Sequence, residues 1–172
     1  SFSSLNNFTV YGLDIIKPLL EGVDEIFEWD ELEVIPDMDV IIHLAGKAHD
    51  TANTSKEQDY IDINYGLTKK IYDYFLQSSA KQFYLMSSVK AVADSVVGVL
   101  AEDVKPSPQT PYGKSKLLAE EYLLSIKPID GKQVYIYRPC MVYGSGNKGN
   151  LNLLFKIVSK GIPWPLGSFN NS

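Results

Sequence analysis

The sequence predicts an α/β fold: a parallel sheet with helices on both faces. Two observations carry this expectation. First, short apolar runs such as Asp39-Val-Ile-Ile-His-Leu44 and Gln82-Phe-Tyr-Leu-Met86 alternate with longer amphipathic segments. Strands buried on both faces read as near-continuous apolar runs, because neither face meets water. Second, the segment after Lys56 carries Tyr60, Ile63, Leu67, Ile71 and Phe75 at the spacing of one helix face. Sheets of this kind bind ligands at the carboxyl ends of their strands. The loops that follow the strands are therefore where function is sought.

Taken in order, Phe8 to Leu13 reads as a strand ending at Asp14, and Glu25 to Glu28 as a short strand. Asp39 to Leu44 is a buried strand broken by Ala45-Gly46. One helix is expected from about Lys56 to Ser79, then a strand over Gln82 to Met86. A loop rich in Pro and small residues runs to Pro111. A helix to about Ile126 follows, with Leu117, Leu118 and Leu124 as its apolar positions. Gln133 to Tyr137 is a strand stopped by Arg138-Pro139, and a last helix covers about Leu151 to Lys160. Gly161 ends that helix, since glycine accepts the left-handed conformation of a helix C-terminus. The chain opens without methionine and stops soon after an apolar segment, so it is expected to be truncated at both ends.

Bulk properties narrow the function classes. The chain has 172 residues, 45% of them hydrophobic, with mixed charges, which fits a soluble globular domain with a real core. The net charge of −5 supplies no basic field for nucleic acid. No apolar run reaches membrane-span length and no signal peptide heads the chain. Cys140 is the single cysteine, which excludes an intrachain disulfide and fits a reducing cytoplasm. With no base to activate it, Cys140 reads as a buried packing residue. No His/Cys/Asp/Glu group has metal-ligand spacing, so no metal is expected.

The most informative stretch is Tyr112-Gly-Lys-Ser-Lys116, at the start of the helix after Pro111. Positions four apart share a helix face. A cation beside a phenol favours the phenolate, which suits the tyrosine to general-base work. Alone the pair is a weak signal, because Tyr and Lys are common on solvated helix faces. Asp14 adds to it. An acid ending the second strand of a dinucleotide fold accepts hydrogen bonds from the adenosine ribose and repels a 2′-phosphate, which favours NAD over NADP. The bland alternative is a turn or helix-capping aspartate. Asp30 is placed to accept from the adenine amino group, or is one of several solvated acids between Glu28 and Glu33. The glycine-rich fingerprint of such folds is absent and would belong upstream of Ser1. Without that pyrophosphate cradle the chain as written is expected to bind the dinucleotide poorly.

His43-Leu-Ala-Gly46, Asn64-Tyr-Gly66, Met86-Ser-Ser88, Tyr112-Gly-Lys-Ser-Lys116, Arg138-Pro-Cys-Met-Val-Tyr-Gly144 and Gly149-Asn150 occur in this order. Together they resemble the NAD-dependent epimerase/dehydratase family of extended short-chain dehydrogenases/reductases, which acts on nucleotide sugars. The resemblance runs from about Val10 to Asn171. It implies a Rossmann-like doubly wound parallel sheet, truncated, whose first strand, Gly-rich loop and C-terminal substrate region are missing. The dinucleotide-binding domain would cover 1–148, and the substrate region would begin over 149–172.

The resemblance also implies roles. Ser88 would hydrogen-bond the sugar 4-hydroxyl, Tyr112 would be the acid-base group, and Lys116 would hold the nicotinamide ribose. Leu44, Ala45, Gly46 and Met86 would line the cofactor groove, and Asn64 would fix the chain beside it. Arg138 and Pro139 would lie near the nicotinamide. Lys90 would face substrate, and Asn150 would meet its diphosphate or uracil. The cofactor would be NAD and the partner a UDP-sugar. A homodimer through the helices beginning near Lys56 and Pro111 is a further expectation.

Several of these residues have plainer readings. Ser87 and Ser88 are also suited to capping a turn. His43 ends a buried strand and reads as a packed, hydrogen-bonded core histidine, while His49 lies in a loop. Tyr143 and Trp164 read as packing residues before sugar-stacking ones. The family's 4,6-dehydratases carry Asp then Glu after the catalytic Ser or Thr, whereas this chain has Ser88-Val-Lys90. A 4-epimerase is therefore expected first and a 4-keto-sugar reductase second. A dehydratase or a non-catalytic dinucleotide-binding protein comes last. Met141 stands where the family commonly has asparagine.

Overall fold

The computed structural model describes residues 8–48, 55–128, 131–142, 144 and 150–161. The chain divides into two compact units, Ser1–Arg138 and Pro139–Ser172.

The described residues of the first unit form five strands, all paired in parallel. β1 (Tyr11–Asp14) pairs with β2 (Glu25–Glu28). β3 (Val40–His43), β4 (Gln82–Met86) and β5 (Gln133–Tyr137) form a second sheet in that order. In this register His43 lies beside Leu85, and Met86 beside Tyr137. The loops after β3, β4 and β5 therefore leave from one edge, which is the ligand-binding edge of a parallel sheet.

Alternation along each strand decides which face is inside. Ile41, His43, Phe83 and Leu85 are buried against two helices, α2 (Leu67–Gln77) and α3 (Pro111–Ser125). Tyr72, Phe75, Phe83, Ala119 and Leu123 form the centre of this core. Tyr72 meets Phe83 edge-on at 5.2 Å between ring centroids, and Phe75 lies 5.3 Å from the same ring. The helices are also tied at their surface: Lys69 Nζ donates to Asp73 Oδ2 at 2.7 Å and to Tyr122 Oη at 3.1 Å. Among the described residues of this unit, Val40, Ile42, Tyr135 and Tyr137 are exposed on the opposite face of the sheet. Ile42, Tyr84, Met86 and Tyr137 line a shallow hollow of about 170 Å³ on that face.

Three elements depart from the sequence reading. The long helix expected from Lys56 is broken into α1 (Glu57–Tyr60), a π-helical turn (Ile61–Gly66) and α2. The widened turn surrounds the fully buried Asn64, whose side chain bonds to groups outside the helix. α3 buries Gly113, Ser115, Lys116, Ala119, Glu120 and Leu123, while Leu118 and Leu124 are exposed. Its inward face is small and polar because it meets the strand ends closely, so the leucines do not mark that face. Cys140 is exposed and is not the buried packing residue the sequence suggested. In the second unit α4 spans Asn150–Ser159. No helix among the described residues is long and apolar enough to cross a membrane.

Lys132, just before β5, is buried, and its ammonium donates to the carbonyls of Phe75 (2.7 Å), Ser78 (2.6 Å) and Ala80 (3.0 Å). The Phe75 and Ser78 carbonyls lie at the end of α2, where intrahelical partners run out and a cation is favoured, and Ala80 follows just beyond it. Lys132→Met removes the donor to the Ser78 and Ala80 carbonyls, while Phe75 O keeps its bonds from Ser78, so it should cost about 2–4 kcal/mol of unfolding free energy. Urea denaturation reads this directly, and a loss below about 0.5 kcal/mol would count against the cap.

Candidate active site

The site is assembled where the N-terminal turns of α3 meet the ends of β3 and β4. α3 begins with Thr110 as N-cap, its hydroxyl accepting from Gly113 N at 3.2 Å, and with Pro111 in the first turn. Asp94 fixes that cap. Its carboxylate accepts from Gln109 N (2.6 Å), Thr110 N (3.2 Å) and the Thr110 hydroxyl (2.7 Å). Desolvation raises the Asp94 pKa, but these hydrogen bonds outweigh it and hold the group below its ordinary value.

Ser88 caps a short turn, Val89–Ala91, with its hydroxyl oxygen accepting from Lys90 N at 3.2 Å. That leaves the serine O–H free to donate. The same turn is pressed against α3 at Gly113. A Cβ on Gly113 would stand 2.4 Å from Lys90 O and 2.8 Å from Pro108 Cβ. Glycine is thus what lets the Ser88 turn close onto the helix that carries Tyr112. Tyr112 is half-buried, one helical turn before Lys116.

Lys116 is 5% exposed, and its Nζ donates to Met86 O at 3.0 Å. An ammonium has three N–H donors, so capacity remains for a ligand. Gly46 lies directly over it: a Cβ there would meet Asn64 Oδ1 at 2.9 Å and Lys116 Nζ at 3.0 Å. Burial lowers the Lys116 pKa from its ordinary value, and the Glu120 carboxylate opposes that by raising it.

Asn64 ties the remaining pieces together. Its Oδ1 accepts from Lys47 N (2.7 Å), while Nδ2 donates to Lys47 O (3.0 Å) and Ser115 Oγ (2.9 Å). Ser115 Oγ in turn donates to Tyr112 O at 2.8 Å. Behind Asn64, the Thr68 hydroxyl donates to Asn64 O at 2.6 Å. Thr68 has only that one proton, so the 2.9 Å contact from His43 Nε2 to Thr68 Oγ1 must be a bond donated by the histidine. Nε2 therefore carries a proton. Burial, then the Lys116 charge, pushes the His43 pKa from 6.5 down to about 4. His43 is the packed, hydrogen-bonded core histidine that its sequence position implies.

Gly46, Asn64, Met86, Ser88, Tyr112 and Lys116 thus belong to one contiguous assembly. Leu44 and Ala45 stand at its edge, Leu44 exposed. Asp14 ends β1 with its carboxylate exposed and Oδ1 accepting from Ile15 N at 2.7 Å. Asp30 is exposed in the turn after β2. Lys90 is exposed, with Nζ bonded to Asp94 O. The Arg138 guanidinium is directed to Glu120 by three bonds of 2.6–3.1 Å. Pro139 opens the second unit, and Asn150 is the first residue of α4. The Asn150 side chain, His49, Tyr143, Gly149 and Trp164 lie outside the described residues. Among the described residues no group of acids, His and Cys is arranged to hold a metal.

Sequence reasoning missed Glu120, Asp94, Thr68 and Gly113. Glu120 had a signal, since it stands four residues after Lys116 as Lys116 does after Tyr112. Gly113 and Asp94 had none, because their roles depend on a turn distant in sequence.

The parallel strands, flanking helices and Tyr–Lys helix face at the strand ends define a Rossmann-like α/β protein. The chain belongs to the NAD dependent epimerase/dehydratase family, whose sequence model matches residues 24–162. It is 33% identical over 137 residues to the UDP-glucose 4-epimerase of Vibrio cholerae, covering 77% of this chain and 42% of that protein. It is 25% identical over 141 residues to UDP-glucose 4-epimerase 3 of Oryza sativa subsp. japonica, covering 80% and 37%. The chain therefore spans about two fifths of the length of these relatives.

Among solved structures, the UDP-glucuronic acid 4-epimerase of Bacillus cereus in complex with NAD matches with a TM-score of 0.75 at 22% identity, over 93% of this chain and 57% of that one. The UDP-N-acetylglucosamine 4-epimerase of Methanobrevibacter ruminantium M1 matches with a TM-score of 0.71 at 18% identity, over 93% and 58%. These agree with the fold that the motifs implied.

Two stability tests follow from this geometry. On an open helix face Gly→Ala stabilises by about 1 kcal/mol. Gly113→Ala should instead destabilise by about 1–3 kcal/mol, because a backbone carbonyl occupies the space. For His43, the unfolded chain takes up a proton below about pH 6.5 and the folded chain only below about pH 4. Stability should fall as pH drops through that window, by up to about 3 kcal/mol. Denaturation at several pH values, with His43→Gln as reference, measures that contribution.

Proposed function

We propose that this chain carries the acid-base half of a nucleotide-sugar 4-epimerase that acts on a UDP-hexose or UDP-N-acetylhexosamine with NAD as cofactor. The observation that carries the reading is the joint placement of three groups. The Lys116 amine is held between Met86 O and Gly46. Tyr112 precedes it by one turn of α3, and Gly113 lets the Ser88 turn dock on that same turn.

The residues present fit a dinucleotide. Gly46 leaves open the space that a Cβ would take over the Lys116 ammonium and the Asn64 amide. Lys116 would hold the nicotinamide ribose there, Leu44 to Gly46 and Met86 would line the groove, and Asp14 would take the adenosine ribose. Asp30, Arg138 and Pro139 are the outer members of this proposed cofactor set. Bound NAD would supply the redox chemistry, accepting hydride from the sugar C4 and returning it.

The chain's own residues handle the proton. Ser88, with its O–H free, hydrogen-bonds the sugar 4-oxygen, and Tyr112 Oη removes the 4-hydroxyl proton and later restores it. Lys116 keeps a positive charge beside the phenol. Ser88 is followed by Val89 and Lys90, which provide no carboxylate for eliminating water. That favours epimerisation over dehydration. Lys90 and Asn150 are the proposed substrate contacts. The second reading, a 4-keto-sugar reductase, uses the same Ser88, Tyr112 and Lys116. The curated 4-epimerase relatives favour the first.

The reading is tested with the protein at its full natural length, incubated with UDP-glucose or UDP-N-acetylglucosamine and catalytic NAD, the sugars being followed by NMR. A mixture of C4 epimers without net NADH is expected. Consumption of reduced cofactor with a 4-keto sugar, and no epimerisation, would make it a reductase. Tyr112→Phe should lower turnover by about 10²–10⁴-fold while leaving the unfolding midpoint nearly unchanged. Near-normal turnover would remove Tyr112 from the acid-base role.

A further inference from the structure

Beyond the Ser/Tyr/Lys set, α3 carries a third ionisable group on the same face. Tyr112, Lys116 and Glu120 follow one another at intervals of four residues. Glu120 is fully buried, although carboxylates are almost never buried without partners. Its partners all come from the ends of two strands. Ser87, the first residue after β4, donates its hydroxyl to Oε1. Arg138, the first residue after β5, donates from Nε to both oxygens at 3.1 Å and from Nη2 to Oε2 at 2.6 Å. Ser87 N also donates to Tyr137 O at 2.7 Å. One carboxylate thus joins α3 to Ser87, which lies between Met86 and Ser88, and to Arg138.

We propose that Glu120 is a positioning residue of the site: it clamps the ends of β4 and β5 to α3 and supplies the buried counter-charge that keeps Lys116 an ammonium. The inference deepens the function proposed above and relies on it only for the link to turnover.

The charges around Lys116 support the sign. On its own helix it has Glu120 and, one turn earlier, Tyr112. From β3 comes His43, held neutral. From the π-helical turn comes the neutral amide of Asn64, and from β4 the Met86 carbonyl. Arg138 reaches in from β5, already paired with Glu120. Lys90, on the turn after Ser88, points its ammonium at Asp94 O. Burial lowers the Lys116 pKa, and the Glu120 carboxylate, one helical turn on, opposes that by raising it. A buried lysine without such a partner loses its proton far more readily.

The test uses the full-length protein with a label at the lysine side chains, following Lys116 Nζ or Cε by NMR against pH, with no substrate present. Glu120→Gln keeps the shape but removes the charge, and should move the Lys116 midpoint down by about one pH unit or more. Arg138→Gln removes the opposing cation and should move it up. Arg138→Lys, which retains the charge, should leave it close to the wild type. The double variant Glu120→Gln/Arg138→Gln buries no lone charge and should return the midpoint towards wild type. If Glu120→Gln alone fails to fold, Arg138→Gln and the double variant still decide the sign.

A midpoint that is unmoved in the single variants, or that moves the same way in both, would reduce Glu120 to a structural tether and overturn the proposal. In the epimerase assay the alkaline limb of kcat against pH should shift with the NMR midpoint. Absence of wild-type turnover would sink the proposed function and leave the NMR result on Glu120 standing.

Discussion

A lysine amine held almost out of water at the end of β4 is the constraint on which the site depends. Lys116 Nζ reaches Met86 O at 3.0 Å from the interior face of α3. A buried ammonium is costly unless bonded and paired, because a low-dielectric surrounding favours the neutral amine. The structure answers with the Met86 carbonyl, the Glu120 carboxylate one turn away and a neutral His43 behind. It also answers sterically. A Cβ at Gly46 would crowd the Asn64 and Lys116 side chains, and one at Gly113 would meet the Lys90 backbone carbonyl of the Ser88 turn.

The π-helical turn follows from the same constraint. Asn64 must meet both amide groups of Lys47 and the Ser115 hydroxyl, which lie on different elements. A regular α-helix repeats every 3.6 residues. A π-turn inserts an offset that re-aims one side chain, and such turns are frequent at functional sites. Asn64 thus ties the loop after β3 to the first turn of α3. Thr68 and His43 complete it from behind, through bonds whose proton positions are determined by the single hydroxyl hydrogen of Thr68.

α3 consequently has an unusual composition for a core helix. Its buried face offers Gly113, Ser115, Lys116 and Glu120 before it offers Ala119 and Leu123. The polar part meets the strand ends, where the chemistry is proposed, and the apolar part meets Tyr72, Phe75 and Phe83. One helix therefore serves both the hydrophobic core and the site. A shift of α3 that loosened the core would also displace Tyr112 and Lys116.

Much of this was legible in the sequence. The strands at Glu25, Gln82 and Gln133 have the bounds that their apolar runs imply, and the order of short motifs pointed to the family. Tyr112 and Lys116 could be paired because helical spacing is a local property, readable without knowing what surrounds the helix. Other features depend on segments that meet only after folding. The buried face of α3 was misread through Leu118 and Leu124, because apolarity does not mark a face that must approach backbone closely. Cys140 was misjudged because exposure depends on neighbours. The π-turn, the need for glycine at 113, the Asp94 hold on the α3 cap and the pairing of Glu120 with Ser87 and Arg138 were decided by tertiary contact alone. Periodicity and residue type determine which elements form, whereas their mutual packing determines which buried charges find partners.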